Sequence, residues 1–367
     1  MTTTVSPPLD LSVILCTYNP RFPELPRVLD ALRGQTLPLD RWELVIIDNN
    51  SSPPLVAAEL DAGRGLPLRV VRETRQGKVP AHRRGILEAR AELLVLVDDD
   101  NVFDPDYLEV ALAIARAQPD LGAFGGKARP AIPGGSLAGW QRRLLPFIGV
   151  REFGPEPITS REDRWGPWEP IGAGMVLQRR VGLEFVRVVD TVPEAAELDR
   201  IGRALLSAGD SLLARLSYPM GLACSYQPAL AFDHLIPRSR VGFRYLRRMM
   251  YGHGRSLIKL NRVMGVPSEP LSPWRLMGRL LMRVRNEGLG GPLWWCWDLG
   301  YFVESRRRRQ PGPEFRWGTT RLKRVTAAAL APSSRRRVWI CRPSSWTAAA
   351  RTNPGTRSRE IVGPSTS

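Results

Sequence analysis

Cysteine, histidine and long apolar runs are all scarce in this chain. Its 367 residues include 4 Cys and 3 His. Cys16, Cys224, Cys296 and Cys341 stand far apart, with no short Cys-x-x-Cys pair. That excludes a zinc knuckle and a disulfide scaffold, and it fits a reducing, cytoplasmic compartment. No stretch reaches the ~18 uninterrupted apolar residues that a membrane-spanning helix needs. The opening MTTTVSPPLD has neither a basic nor an apolar region, so it does not read as a signal peptide. There is no Walker A motif. Neither Gly125-Gly126 nor Gly172-Ala173-Gly174 completes a G-x-G-x-x-G turn, so a P-loop nucleotidase or a dinucleotide-binding enzyme has little support.

Acidic residues are scarce in one part only. Residues 236–367 hold 27 of the 53 Lys/Arg but 6 of the 36 Asp/Glu, which concentrates more than the whole formal charge of +17 there. Residues 1–235 are mildly acidic. A nucleic-acid-binding protein is one reading of this balance, and an acidic body with a basic appendage is another. An apolar content of 43% supplies a sizeable core. The length suits two domains, or one large α/β domain with an appendage.

The first half alternates two periodicities. Continuous apolar runs at 11–19, 42–52, 66–73, 92–101 and 121–126 predict strands. Helical spacing at 27–35, 78–91 and 105–117 predicts helices between them, with Gly34 closing the first and Pro105 opening the last. Such a pattern implies an α/β fold with a mostly parallel sheet covered on both faces. In these sheets ligands bind beyond the carboxyl ends of the strands. Thr17, Tyr18, Asn19, Asp48 and the triplet Asp98-Asp99-Asp100 all fall just past strand ends.

The triplet is the sharpest local signal. Three adjacent carboxylates repel one another, and two readings are open. One is a solvated turn that caps the next helix. The other is a site for Mg²⁺ or Mn²⁺, which take hard oxygen ligands and commonly use one or two carboxylates plus substrate phosphates. A D-x-D spacing would let Asp98 and Asp100 reach the same side, with Asp99 turned away.

Segments 11–19, 43–52, 75–86, 93–106, 170–180, 205–213 and 226–240, taken in order, resemble the family 2 glycosyltransferases of the GT-A fold. The resemblance covers roughly residues 10–260. It implies that Thr17, Tyr18 and Asn19 line a nucleotide pocket and that Asp48 accepts a hydrogen bond from the base. The loop and helix start at 75–86, with Gly77 and Lys78, would approach the diphosphate. This chain has His82 where the family often has Arg, so Lys78 or Arg83 is expected to carry that charge. Asp98 and Asp100 would be the D-x-D motif, with Asp100 on the metal, Asp98 assisting it or holding the ribose, and His234 a further metal or phosphate ligand. Gly172 and Gly174 resemble an acceptor-side segment. Asp210 matches the family's base in inverting members, although Gly209 stands where Glu is usual. A lone Asp before a helix is also a common N-cap, and that reading stays open. The loop 152–169, with its tryptophans, is a candidate mobile acceptor loop.

The resemblance implies a metal-dependent, inverting transfer of a sugar from a nucleoside diphosphate donor to the hydroxyl of a glycan, a lipid-linked or a small-molecule acceptor. A nucleotide-sugar-binding protein without turnover is the alternative. Residues 1–130 would form the donor half of one GT-A domain and 131–239 its acceptor half. Residues 240–309 would form basic amphipathic helices, and 310–367 a disordered tail. For those helices, attachment to an anionic membrane surface, packing on the body and nucleic-acid binding are weighed in that order. No nucleic acid is expected as a partner, and a peripheral position on the inner face of the membrane is.

Overall fold

The structure is a computed structural model, and it describes residues 8–20, 23–199 and 205–307. The tail from residue 308 onward lies outside the described residues.

Nine strands form a single sheet among the described residues: β1 (Leu11–Thr17), β2 (Trp42–Asp48), β3 (Leu68–Arg72), β4 (Leu93–Asp98), β5 (Asn101–Phe103), β6 (Leu121–Ala131), β7 (Ile158–Ser160), β8 (Val176–Gln178) and β9 (Ala223–Leu235). Their order is β3-β2-β1-β4-β8-β6-β9-β5, with β7 pairing the other end of β9. β3, β2, β1 and β4 are mutually parallel, β8 runs against β4 and β6, and β6 and β9 are parallel. This is the mixed, mostly parallel α/β sheet expected for GT-A.

Successive residues of the central strands face opposite sides, and both sides are covered. Ile14, Val45, Ile47, Leu94 and Leu96 pack against the helices Lys78–Glu88, Arg179–Thr191 and Gly209–Arg215. Val13, Leu15, Leu44, Ile46, Val95 and Val97 pack against Glu24–Arg33 and Tyr107–Ala117. Burial on both faces is why these strands read as unbroken apolar runs rather than as alternation. The 3-residue β5 escaped that test, being too short to carry a period.

Register places the polar ends together. Thr17 is opposite Asp48 in the β1–β2 pair, and Cys16 is opposite Asp98 in β1–β4. The antiparallel pair β5–β9 sets Asn101 opposite His234, which brings His234 beside the triplet.

The basic region separates into unlike parts. The helix Phe243–Val263 buries Leu246, Met249 and Met250 in a third core cluster with Leu144, Ile236, Leu293 and Trp294. It crosses the helix Gly291–Ser305 at two glycines. A Cβ on Gly254 would lie 2.0 Å from the Trp297 carbonyl oxygen, and one on Gly300 2.1 Å from that of Tyr251. Asp298, fully buried in the aromatic helix, takes Arg279 at 2.6 Å and Arg283 at 3.0 Å from the helix Pro273–Glu287. Intramolecular packing therefore accounts for two of these helices. The third packs by its arginines and leaves Trp274, Met277, Leu281, Met282 and Val284 exposed. No helix among the described residues is long and apolar enough to cross a membrane.

Candidate active site

The cluster at the strand ends is built around Lys78. Gly77, with φ 131°, turns the chain out of β3 into the helix Lys78–Glu88. Two side chains hold this helix start: Asn49 Oδ1 accepts from the Gly77 N–H at 2.8 Å, and Asp199 Oδ2 accepts from the Val79 N–H at 2.7 Å. The Lys78 ammonium then donates to Asp98 Oδ2 at 3.1 Å and to Asp210 Oδ2 at 3.3 Å. Burial alone would lower its pKa, but Asp210, Asp98 and Asp199 outweigh that and raise it, so the charge is held firmly.

His82 is one helical turn on and buried, with Nδ1 at 3.9 Å from Asp210 Oδ1. Burial, and Lys78 beside it, bring its pKa down to about 4. At neutral pH the imidazole is uncharged, so Lys78 is the cation of this cluster. Arg83 is not an alternative to it: its guanidinium pairs with Asp190 on the outer side, at 2.6 and 2.8 Å.

Asp210 does not cap its helix. The N-cap of Gly209–Arg215 is Ala208, with no side-chain cap bond, and the Asp210 carboxyl faces Lys78. Burial pushes this carboxyl toward the neutral form, yet Lys78 and the Gly172 N–H hold it below the usual range. A Cβ on Gly172 would stand 2.5 Å from the carboxyl carbon and from both oxygens of Asp210, so any larger residue there must push that carboxyl aside. Gly174, at φ 71°, gives its carbonyl to the Tyr107 hydroxyl at 2.5 Å.

The three carboxylates of the triplet take three different partners, and none caps a helix. Asp98 binds Lys78. Asp99 accepts from the Thr17 hydroxyl at 2.5 Å; burial raises its pKa to about 6. Asp100 accepts from Arg240 Nη1 and from Asn101 Nδ2, each at 3.0 Å, and lies 3.5 Å from His234 Nε2. Burial resists its ionisation, but His234 and Arg240 prevail and hold it well below the usual carboxylate range. His234 Nδ1 stands 3.4 Å from the Gly149 carbonyl.

Asp48 is buried, and its carboxylate accepts from the Ser51 N–H at 2.8 Å, the Leu55 N–H at 3.3 Å and Arg72 at 3.1 Å. Asn19, at φ 44°, ties the β1 turn to the same segment through Ser51 and Ser52. Tyr18 beside it is half exposed. The tryptophans of 152–169 are not free sugar platforms. Trp168 is buried, stacked under Arg164 and bonded to the Tyr218 hydroxyl, Trp165 lies beside Arg151, and β7 fixes the middle of the segment. Asn49, Asp199 and Arg240 escaped sequence reading because each acts on a residue far along the chain. Arg240 follows His234 within six positions, the one local hint of its role.

The fold and this cluster define an α/β domain whose polar site sits where parallel sheets bind phosphorylated ligands. Residues 12–182 match the family model Glycosyl transferase family 2. A glycosyltransferase of Haemophilus influenzae is 30% identical over 112 residues, 30% of this chain and 36% of that protein. The dodecaprenyl-phosphate galacturonate synthase of Rhizobium johnstonii is 32% identical over 149 residues, 40% of each. The chain thus matches well under half the length of these curated relatives. The mannosyltransferase of Pyrobaculum calidifontis, solved with GDP-Man and Mn²⁺, superposes with a TM-score of 0.49 at 19% identity, covering 83% of this chain and 78% of that one.

Proposed function

We propose that the chain transfers a sugar, with inversion, from a nucleoside diphosphate sugar to an acceptor hydroxyl, and that Asp210 is the base. The observation that carries this is the Asp98–Lys78–Asp210 bridge with Gly172 closed onto Asp210. It joins a cation suited to a diphosphate to an ionised carboxylate that packs on the glycine backbone at Gly172. Thr17, Tyr18, Asn19, Asp48, Gly77, Lys78 and Asp98 line the donor side, and Gly172 and Gly174 the acceptor side. The diphosphate competes for Lys78 and draws it from Asp210, which frees the carboxylate to take the acceptor proton while the acceptor oxygen attacks the anomeric carbon. Lys78 then stabilises the departing diphosphate.

For a divalent cation the chain offers two hard carboxylates, Asp98 and Asp100. Asp100 is held ionised and Asp98 is two residues away. No group of three or more possible ligands converges among the described residues. Asp100 and Asp98 would hold Mg²⁺ or Mn²⁺ together with donor phosphates and water, the usual manner for these ions. When bound, the ion supplies Lewis-acid stabilisation of the leaving group. His234 supports this reading as the neighbour that orients Asp100.

The test is thermal unfolding against a panel of nucleotide sugars with and without Mn²⁺. One donor is expected to raise Tm, and to raise it more with the ion; at about 100 Kd of ligand the stabilisation is ~2.7 kcal/mol. No shift with any donor would refute the reading. Donor binding without transfer to any acceptor would favour the non-catalytic alternative. A second expectation concerns Gly172→Ala. Its methyl must displace Asp210, and a misplacement of ~1 Å costs about 100-fold in rate. The measurement is kcat beside an unchanged melting curve. The same reading includes peripheral attachment to an anionic membrane surface, supported by the exposed face of Pro273–Glu287.

A further inference from the structure

Arg151 is buried, 5% exposed. Its backbone is pinned to Ala128 by two hydrogen bonds, at 3.0 and 3.1 Å. The Phe153 and Trp165 rings flank the guanidinium, their centroids at 5.4 and 5.7 Å. Neither Nε nor Nη1 has a hydrogen-bond partner. Glu169, whose charge acts on Arg151 from a distance, is itself paired with Arg215 at 2.8 Å. Among the described residues no carboxylate lies within ion-pair distance of Arg151. A buried, unpaired charge is strongly unfavourable, and it marks a site where an opposite charge belongs.

Arg151 also lines a small pocket. Gly125, Gly126, Glu169, Ile171 and Tyr226 line it with Arg151. Its inner space is about 10 Å³, roughly what one water-sized oxygen occupies. The segment that forms one wall, 169–174, is also the one that presses Gly172 onto Asp210. Gly125 faces that wall, with the Pro170 side chain 3.0 Å from where a Cβ would stand.

We propose that Arg151 forms an anion subsite on the acceptor side, where one oxygen of a phosphate or carboxylate carried by the acceptor enters the pocket and the rest of the group stands at its mouth. The placement rests on the reading of 169–174 as the acceptor segment; the anion binding does not. Arg151 thus selects charged acceptors over neutral glycosides, and it holds them by a group other than the hydroxyl that reacts.

Thermal unfolding of the full chain with inorganic phosphate, acetate or hexyl phosphate tests this, in wild type and in Arg151→Met. The anions are expected to raise Tm in wild type. That part of the shift is lost in Arg151→Met, whose ligand-free Tm equals or exceeds wild type because an unpaired charge has been removed. A shift with hexyl phosphate alone assigns the site to a lipid-linked phosphate, and equal shifts with inorganic phosphate assign it to the head group. Equal shifts in wild type and variant, or none in wild type, overturn the proposal. If Arg151→Met does not fold, Arg151→Gln is read by the same criterion. Donor binding distinguishes the two readings: Arg151→Met keeps the nucleotide-sugar shift, whereas its absence from wild type would sink the transferase reading and leave the anion result standing.

Discussion

Asp210→Asn is expected to lower sugar transfer by about 1,000-fold, within the ~100- to 10,000-fold range of a positioned general base. The amide keeps the shape of the carboxyl, so it keeps the fit to Gly172. It cannot accept the acceptor proton. Donor binding should survive, since Lys78 and the triplet remain. The readout is therefore a fall in kcat at unchanged donor affinity. Full activity in this variant would remove Asp210 from the reaction.

The pH profile follows from the same cluster. Asp210 lies below the ordinary Asp value, so it is ionised throughout the neutral range. On kcat/KM for the donor, which reports the donor-free enzyme, Asp210 should give no acid limb between pH 8 and about pH 5, a unit above the ordinary value of ~3.9, so a limb near pH 6 would belong to Asp99. In Lys78→Met the cation is gone and burial prevails. The Asp210 pKa then rises, and the acid limb moves toward neutral pH.

How much of this was legible in the sequence depends on the kind of interaction. β1, β2 and β4 show as apolar runs because both faces are buried, and their polar ends mark the site without any coordinates. The inward turn of Lys78 does not show. Lys78, Arg83 and Arg84 look alike along the chain, and only the packing of the helix against the sheet selects Lys78 for the site. Trp168 was equally opaque, since an aromatic in a polar loop reads the same whether it stacks on a ligand or plugs a core. Arg151 carried a faint signal, a charge directly after the apolar LLPFIGV, but not that its neighbours' acids are already paired.

The helix Pro273–Glu287 shows the same limit and leads to the other large expected effect. Its sequence is amphipathic, which says that it has two faces but not which one points inward. Here the usual orientation is reversed. Arg279 and Arg283 point inward to the buried Asp298, and Trp274, Met277 and Leu281, spaced i, i+3 and i+7, face outward with Trp274 87% exposed. Exposed Arg275 and Arg285 flank the stripe. An apolar face edged by arginines suits the headgroup region of an anionic bilayer, where tryptophan and arginine are both favoured. The double variant Trp274→Glu/Leu281→Glu should lose vesicle binding by about 100-fold, taking each side chain at ~1.5 kcal/mol of burial, the low end of the usual range. Flotation with phosphatidylglycerol vesicles measures it, and added salt should weaken wild-type binding through the arginines. The melting temperature should not move, because neither side chain touches the core. If the variant instead splits a dimer seen by sedimentation in the absence of lipid, the face belongs to a second copy of the chain and not to the membrane.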